Sequence, residues 1–324
     1  MNEAGPGVPR FDAEEVGVQL ARAGEVADRR EVGLWLVGGA LRDLLLGRTL
    51  RDVDLAVEAA AANALELAAR LGALAGWTLE KTHARFGTAT LRAPGGLRVD
   101  LAATRREEYP APASLPVVTG TTTIDDDLGR RDFTMHAMAR RVGRRGPVGR
   151  VLDPFGGRAD LEAKKIRLLH AKSLVDDPTR AYRAVKYAAR LAFNWDEEFE
   201  KALKAARRAQ AFQALSGDRM RRGIEEIFLE GEWGRAAALA NSLSLLGDVL
   251  PGWSVPSYPS KRSSGVPSDA SSSPDVPRAA DARPKQEEIW RRLLEPLARP
   301  ERAAVASRLN FPKALRRAAG VEPR

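Results

Sequence analysis

An α+β fold, a small mixed sheet followed by an all-α region, is predicted by three features of this sequence. The apolar run Leu34-Trp35-Leu36-Val37 ends in Gly38-Gly39, and a short helical pattern, ALRDLLLG, separates it from a second strand pattern at Asp52 to Val57. A single Ala/Leu-rich helix then precedes a meander of strand-like segments, unlike the repeating strand and helix alternation of a doubly wound parallel sheet. From Asp176 to about Gly247, nearly every segment has helical periodicity.

In chain order, residues 1–30 predict a helical cover, because Phe11, Val16, Val18, Leu20 and Val26 recur loosely at helical spacing on a charged background. Residues 31–168 carry the sheet. Strands are expected at Leu34 to Val37, Asp52 to Val57, Trp77 to Glu80, Thr88 to Arg92 and Leu97 to Ala102, with a helix from Ala59 to Leu74. Gly47 closes the short helix that opens at the glycine pair. Thr104 to Thr123, rich in Pro and Thr, reads as a loop, and beyond it the chain turns helical and basic, with Arg130, Arg131, Arg140, Arg141, Arg144, Arg145 and Arg150 crowded together. Residues 169–252 form a second, helical domain. Residues 253–285 are Ser/Pro-rich with few large apolar side chains, too few to offset the entropy of ordering, and are predicted to be a disordered linker. Residues 286–324 make a short C-terminal helical segment.

Composition narrows the chemistry. The 324 residues suffice for two domains. Lys and Arg number 52 against 43 Asp and Glu, a net charge of +9, which suits a polyanionic partner and equally suits a basic, soluble surface. With no cysteine there is no disulfide, thiolate nucleophile or Cys-ligated metal site, and His83, His136 and His170 are too few for a multi-histidine cage. No run approaches 18 apolar residues, and Glu3, Asp12, Glu14 and Glu15 stand where a signal peptide is basic and then apolar, so a cytoplasmic location is expected.

Asp52 and Asp54 alternate with Val53 in a strand, so both carboxylates project to one face and repel. A divalent cation relieves that repulsion, and Mg²⁺ favours one or two protein carboxylates plus phosphate oxygens. Asp100, between apolar Val99 and Leu101 in another strand, completes a triad suited to two-metal phosphoryl or nucleotidyl transfer if the two strands are neighbours. Alone, an Asp-x-Asp pair is also a common solvated strand end. Gly38-Gly39, between a strand and a helix, lets backbone N–H groups approach phosphate oxygens at a helix N-terminus, although a glycine pair is also an ordinary tight turn.

Together the stretch LVGGALRDLLLGRTLRDVDLAV resembles the signature of the class II tRNA nucleotidyltransferase and bacterial poly(A) polymerase family, a branch of the polymerase-beta-like superfamily. RVDLAATRREEY, DLGRRDFTMHAMA, DPFGGRADL and SLVDDPTRAYRAVKYAARLAF follow in the family's order, covering roughly Leu34 to Phe193. The resemblance implies a nucleotidyltransferase head followed by an all-α neck and body. It further implies that Gly38 and Gly39 contact an incoming triphosphate, and that Asp52, Asp54 and Asp100 are the catalytic, metal-holding carboxylates for Mg²⁺. Arg42 and Asp43 would brace the turn, with Arg42 able to reach phosphate, or form an ordinary surface ion pair. Arg130, Arg131 and Asp132 would lie at the nucleotide, where guanidinium forks suit phosphate and ribose oxygens. Family members usually have Asn where this chain has His136, which bears on ribose contact there. Asp153, Gly156, Gly157 and Asp160 match a linker between head and neck, with Asp160 as an alternative helix cap.

On the expected helix opening at Asp176, Asp177 and Arg180 are three apart and share a face. A carboxylate accepting from an exocyclic amine, beside an arginine donating to the adjacent ring nitrogen, fits the edge that cytosine and adenine share. The same pair is also a plain intrahelical salt bridge. Arg183, Lys186 and Arg190, with Arg219, Arg221 and Arg222, suit an RNA acceptor stem held by its phosphates. The implied activity is addition of C and A residues to tRNA 3′ ends from CTP and ATP, with no membrane or DNA partner. Addition of CC alone, of A alone, poly(A) synthesis, and a non-catalytic RNA-binding relative are the alternatives. The presence of the Thr104 to Thr123 segment disfavours the CC-only activity, and the lack of histidine after Phe193 disfavours a fused metal-dependent phosphohydrolase.

Overall fold

The computed structural model of the chain describes residues 9–121, 123–228, 233–247, 286–295 and 297–321; the Ser/Pro-rich segment expected at 253–285 lies outside them. They fall into two compact units, one extending to Pro178 and including Phe193–Ala214, the other made of Thr179–Ala192 and the residues from Leu215 onward.

The first unit begins with α1 (Ala13–Arg29), opened by a capping box in which Asp12 accepts from the amides of Glu14 and Glu15 while Glu15 accepts from that of Asp12. Val16, Leu20, Ala23, Gly24 and Ala27 form its buried stripe. There follow β1 (Gly33–Val37), α2 (Gly38–Leu45), β2 (Asp52–Glu58), α3 (Ala61–Gly72), β3 (Thr78–His83), β4 (Thr88–Arg92), β5 (Arg98–Ala103), β6 (Arg105–Glu108), β7 (Val117–Gly120), α4 (Ile124–Gly129), β8 (Ala139–Gly143) and β9 (Gly146–Pro147). Gly24 lets α1 press onto β8, since a Cβ there would overlap the carbonyl oxygen of Gly143. The unit continues through α5 (Gly157–Glu162), β10 (Lys165–Ile166) and α6 (Ser173–Asp176).

Seven strands form one mixed sheet in the order β3-β4-β5-β2-β1-β8-β9. Within this sheet, among the described residues, β2 and β5 alone pair in parallel, in a register that sets Val53 beside Val99, Asp54 beside Asp100 and Leu55 beside Leu101. One face of β2 buries Val53, Leu55 and Val57; the other exposes Asp52 and Asp54 before turning apolar at Ala56. Ala56 joins Val37, Ile124, Leu128, Ala137 and Ala139 in a core under α4. Glu58 fastens that cover, accepting from the Ile124 amide and the Trp35 indole N–H at 2.8 Å each. The acidic end of this face is left open.

Two expectations about secondary structure are corrected. Thr104 to Thr123 is not all loop: β6 and β7 form an antiparallel hairpin. Its first strand reads Arg-Arg-Glu-Glu, so no apolar alternation announces it. The basic stretch after Arg130 is not helical either, because Ala139 and Val142 bury in β8 with Arg140 and Arg141 carried mid-strand. Arg141 lies with its guanidinium 5.9 Å from the centroid of the Trp35 ring on the neighbouring strand.

In the second unit, α7 (Thr179–Leu191) packs against α10 (Gly217–Phe228) and α11 (Trp233–Ser242); between them in sequence, β11 (Asn194–Trp195), α8 (Glu197–Arg208) and α9 (Ala211–Ala214) belong to the first unit. α12 (Gln286–Leu294), α13 (Arg299–Arg308) and α14 (Lys313–Ala318) complete it. Buried Glu225 on α10 accepts from the Trp290 indole at 2.8 Å and the Gln286 amide at 2.9 Å, tying in α12. Among the described residues no helix is long and apolar enough to cross a membrane.

Candidate active site

The site begins where β1 stops. Val37 is extended, and Gly38 takes φ +67°, a left-handed value that turns the chain directly into α2. A Cβ on Gly38 would stand 2.9 Å from Arg131 Nη1 and 3.3 Å from Asp54 Oδ2, so the turn, a cation and a carboxylate converge on one point. At Gly39 the closest side-chain atom to such a Cβ, Arg42 Nη2, is 3.6 Å away, an ordinary contact.

Antiparallel pairing sets Val37 opposite Asp54. Neither Asp52 nor Asp54 has a hydrogen-bond or ion-pair partner among the described residues. Solvent reaches Asp54, but protein surrounds it on most sides. That desolvation, then the charge of Asp52 and more weakly that of Asp100, pushes its carboxyl up to about 6 against the pull of Arg131 and Arg42. Two unpaired carboxylates that repel each other are a donor set that Mg²⁺ fits.

Asp100 is placed in the expected register but is differently occupied. Its Oδ2 accepts from Arg98 Nε at 3.0 Å, and its Oδ1 from Arg98 Nη2 at 3.1 Å and Thr90 Oγ1 at 2.7 Å. The carboxylate in turn holds the Arg98 guanidinium above its ordinary value. Among the described residues no group of three or more Asp, Glu, His or Cys is spaced to hold a metal ion. The available metal set is the Asp52 and Asp54 pair, with Asp100 an in-register neighbour held by Arg98.

Of the expected nucleotide-binding residues in the first unit, Gly38 and Arg131 stand at the carboxylates. Arg130, Asp132 and Arg42 lie behind them. Asp127, 1% exposed, accepts from Arg130 Nε and Nη2 through Oδ1 and from Arg131 Nη2 through Oδ2 at 2.7–2.9 Å, and Arg130 also reaches Glu107. Burial works to raise the Asp127 carboxyl, yet the two guanidinium groups hold it below its ordinary value. Arg42 is 2% exposed, with Nε and Nη2 on the two Asp43 oxygens at 2.8 Å and Nη1 on His136 Nε2 at 2.6 Å. It therefore braces the turn and does not reach out to phosphate. His136 is 4% exposed with its other nitrogen on Asp132, so it faces the protein interior and not a ribose.

Two further sequence expectations change. The N-cap of α5 is Gly156, while Asp153, ahead of it, accepts from the first-turn amides of Gly157 at 2.6 Å and Arg158 at 2.9 Å; Asp160 is buried and takes Thr134 Oγ1 at 2.6 Å and Arg167. The helix expected from Asp176 is broken. Asp177 is extended at φ −138°, ψ 93°, and α7 starts only at Thr179, because Pro178 disfavours helical geometry in the residue before it. Asp177 and Arg180 consequently do not share one helical face. Arg180 is 4% exposed, and Arg183 lies with Lys186 and Arg190 around the Tyr187 ring, each 5.5–5.8 Å from its centroid. Sequence reading passed over Asp127, Thr90 and Arg98. The signal for Asp127 was its i,i+3 and i,i+4 spacing to Arg130 and Arg131.

A sequence profile described as the Poly A polymerase head domain matches residues 34–167. An A-adding tRNA nucleotidyltransferase of Geobacter sulfurreducens is 38% identical over 233 residues, 72% of this chain and 26% of that protein. A CC-adding tRNA nucleotidyltransferase of Deinococcus radiodurans is 35% identical over 250 residues, 74% of this chain and 63% of the relative. The chain thus spans about a quarter of the first relative's length and under two thirds of the second's. Among solved structures, a tRNA nucleotidyltransferase complexed with a primer tRNA and an incoming ATP analog superposes with a TM-score of 0.63 at 32% identity, covering 72% of this chain and 64% of that one.

Proposed function

The chain belongs to the tRNA nucleotidyltransferase and poly(A) polymerase family, and on that premise we propose that it adds C and A residues to tRNA 3′ ends from CTP and ATP. The single observation that carries this reading is the convergence of the left-handed Gly38 turn, Arg131 Nη1 and the unpaired Asp54 carboxylate on one point. Phosphate oxygens at the turn would meet the N-terminal amides of α2 and the Arg131 guanidinium. Asp52 and Asp54 would hold the divalent cation, Mg²⁺, which when bound would supply positive charge for the triphosphate and make the attacking hydroxyl easier to deprotonate. In the reaction the 3′ hydroxyl oxygen bonds to the α-phosphorus, the bond from that phosphorus to the oxygen bridging the α- and β-phosphates breaks, pyrophosphate leaves with that oxygen, and the hydroxyl proton passes to solvent. Asp100, in register beside Asp54 and held by Arg98 and Thr90, would serve as the third carboxylate, next to the reacting groups and not as a free metal ligand.

The proposed partner is tRNA, bound through the basic face of α7 around Arg183, Lys186 and Arg190, and the proposed location is the cytoplasm. Arg130 and Asp132 support the nucleotide side from behind. A second reading, addition of A alone, is favoured by the A-adding activity named for the Geobacter relative. Incubation of the protein with tRNAs ending before C74, C75 and A76, with CTP, ATP or both, separates the two. Extension of all three to CCA supports the first reading, and extension only of the substrate lacking A76 supports the second. No incorporation on any of them refutes both.

A further inference from the structure

We propose that His136 is a positioning residue for nucleotide binding, a neutral imidazole carrying its proton on Nδ1 that locks Arg42 beneath the glycine turn. The proposal rests on the nucleotidyltransferase reading of the site. Its basis is hydrogen-bond chemistry. Arginine only donates, so His136 Nε2, 2.6 Å from Arg42 Nη1, must be the unprotonated nitrogen that accepts. A carboxylate only accepts, so Nδ1, 2.8 Å from Asp132 Oδ1, must carry the proton. The ring is 4% exposed and meets Phe133 edge-on at 5.8 Å, which fixes its plane.

Arg42 is thereby held on three nitrogens, two by its neighbour Asp43 and one by His136. Its guanidinium lies directly under Gly39, with Nη1, Nη2 and the central carbon 3.6–3.9 Å from where a Cβ on that glycine would be. A relay therefore runs from Asp132 through His136 and Arg42 to the turn that faces Asp54. An imidazole suits this place because it accepts without adding a further negative charge to a site where burial, and then the charge of Asp52, already lifts Asp54. An Asn amide likewise offers one acceptor and one donor, whereas Phe keeps the shape of the ring and offers neither.

The test compares full-length wild type, His136→Asn and His136→Phe by titration with ATP and Mg²⁺, and by steady-state kinetics with a primer tRNA. In His136→Phe the ATP affinity is expected to fall about tenfold or more, the scale of a lost charge-assisted hydrogen bond. KM for ATP should rise in parallel, with kcat and KM for tRNA within about threefold of wild type, the scatter of nearly silent substitutions. His136→Asn should restore most of the affinity. Unchanged ATP affinity in His136→Phe, or equal impairment in both variants, overturns the proposal. Nitrogen NMR of the wild-type imidazole tests it without any substitution: a protonated Nε2 at neutral pH refutes the relay even if His136→Phe does not fold. Wild type that binds ATP but transfers nothing to tRNA would instead defeat the nucleotidyltransferase reading, leaving the tautomer and affinity results to judge His136.

Discussion

Asp54 and Asp100 face each other in register across β2 and β5, yet only Asp100 is neutralised, by Arg98 on its own strand. The uncompensated charge is thus concentrated on Asp54 and Asp52. Asp54→Asn is expected to abolish nucleotide transfer, a loss on the order of a thousandfold if the carboxylate holds the metal. It should also raise the melting temperature of the metal-free protein at pH 7, because it removes a carboxylate that the folded state disfavours. The pH dependence has a definite sign. The folded carboxyl sits at about 6 and the free side chain near 3.8, so the folded state binds the extra proton between those values. The stability of metal-free wild type should therefore fall as pH rises from about 4 through about 6, and Asp54→Asn should flatten that fall. Melting curves in chelator over this range check it; parallel profiles for the two proteins refute it.

The two glycines of the turn should separate in the same experiment. Gly38→Ala must force a Cβ residue to φ +67° and place it 2.9 Å from Arg131 Nη1, so both strain and intrusion into the site are expected. The strain alone costs about 1–2 kcal/mol. Gly39→Ala meets nothing closer than 3.6 Å and should fold as stably as wild type. Thermal melts with ATP titration decide this, and similar behaviour of the two variants would contradict the geometry.

Much of this site was legible because strand periodicity and pairing are strict. Once Asp52 and Asp54 flank a buried Val53, their shared face follows, and apolar Val99 and Leu101 do the same for Asp100. The occupancy of Asp100 was less legible, since Arg98 lies two residues away on the same face and only the fold shows which way its long side chain turns. The β6–β7 hairpin was hidden because its first strand is held by ladder hydrogen bonds and ion pairs, not by apolar alternation. The break before α7 did have a signal. Pro178 disfavours what the i,i+3 spacing of Asp177 and Arg180 invites, and the backbone restriction prevails over a side-chain pairing worth a few tenths of a kcal/mol.

Asp126 joins that hairpin to α4. It accepts from Thr121 and Thr123 hydroxyls at 2.7 Å and from Arg106, and these bonds, the threonines foremost, lower its carboxyl to about 2. A folded value below the ordinary 3.8 contributes stability that is present above about 4 and lost as pH falls through about 2. Asp126→Asn should speed amide exchange at Arg105–Glu108 and Val117–Gly120 at neutral pH while leaving β2 and β5 protected. Unaltered exchange in the hairpin would mean that the ladder alone holds it.

Asp125, Asp126 and Asp127 are consecutive aspartates in one short helix, and the structure gives them three different outcomes. Asp125 is exposed, so Asp125→Asn should change stability by no more than about 0.5 kcal/mol. Asp127 is 1% exposed between two guanidinium groups, and Asp127→Asn leaves Arg130 and Arg131 repelling each other without their shared counter-charge. Removing one partner of such a buried set costs about 3–5 kcal/mol, far more than forming it contributes. The loss should also reach the site, because Arg131 Nη1 is aimed at the Gly38 turn only while Nη2 is anchored on Asp127. Denaturant melts of the three asparagine variants should rank Asp127 far below the other two, and ATP titration of whatever folded Asp127→Asn remains should show weakened binding. A stable Asp127→Asn with normal ATP affinity would show that Arg131 does not need this anchor.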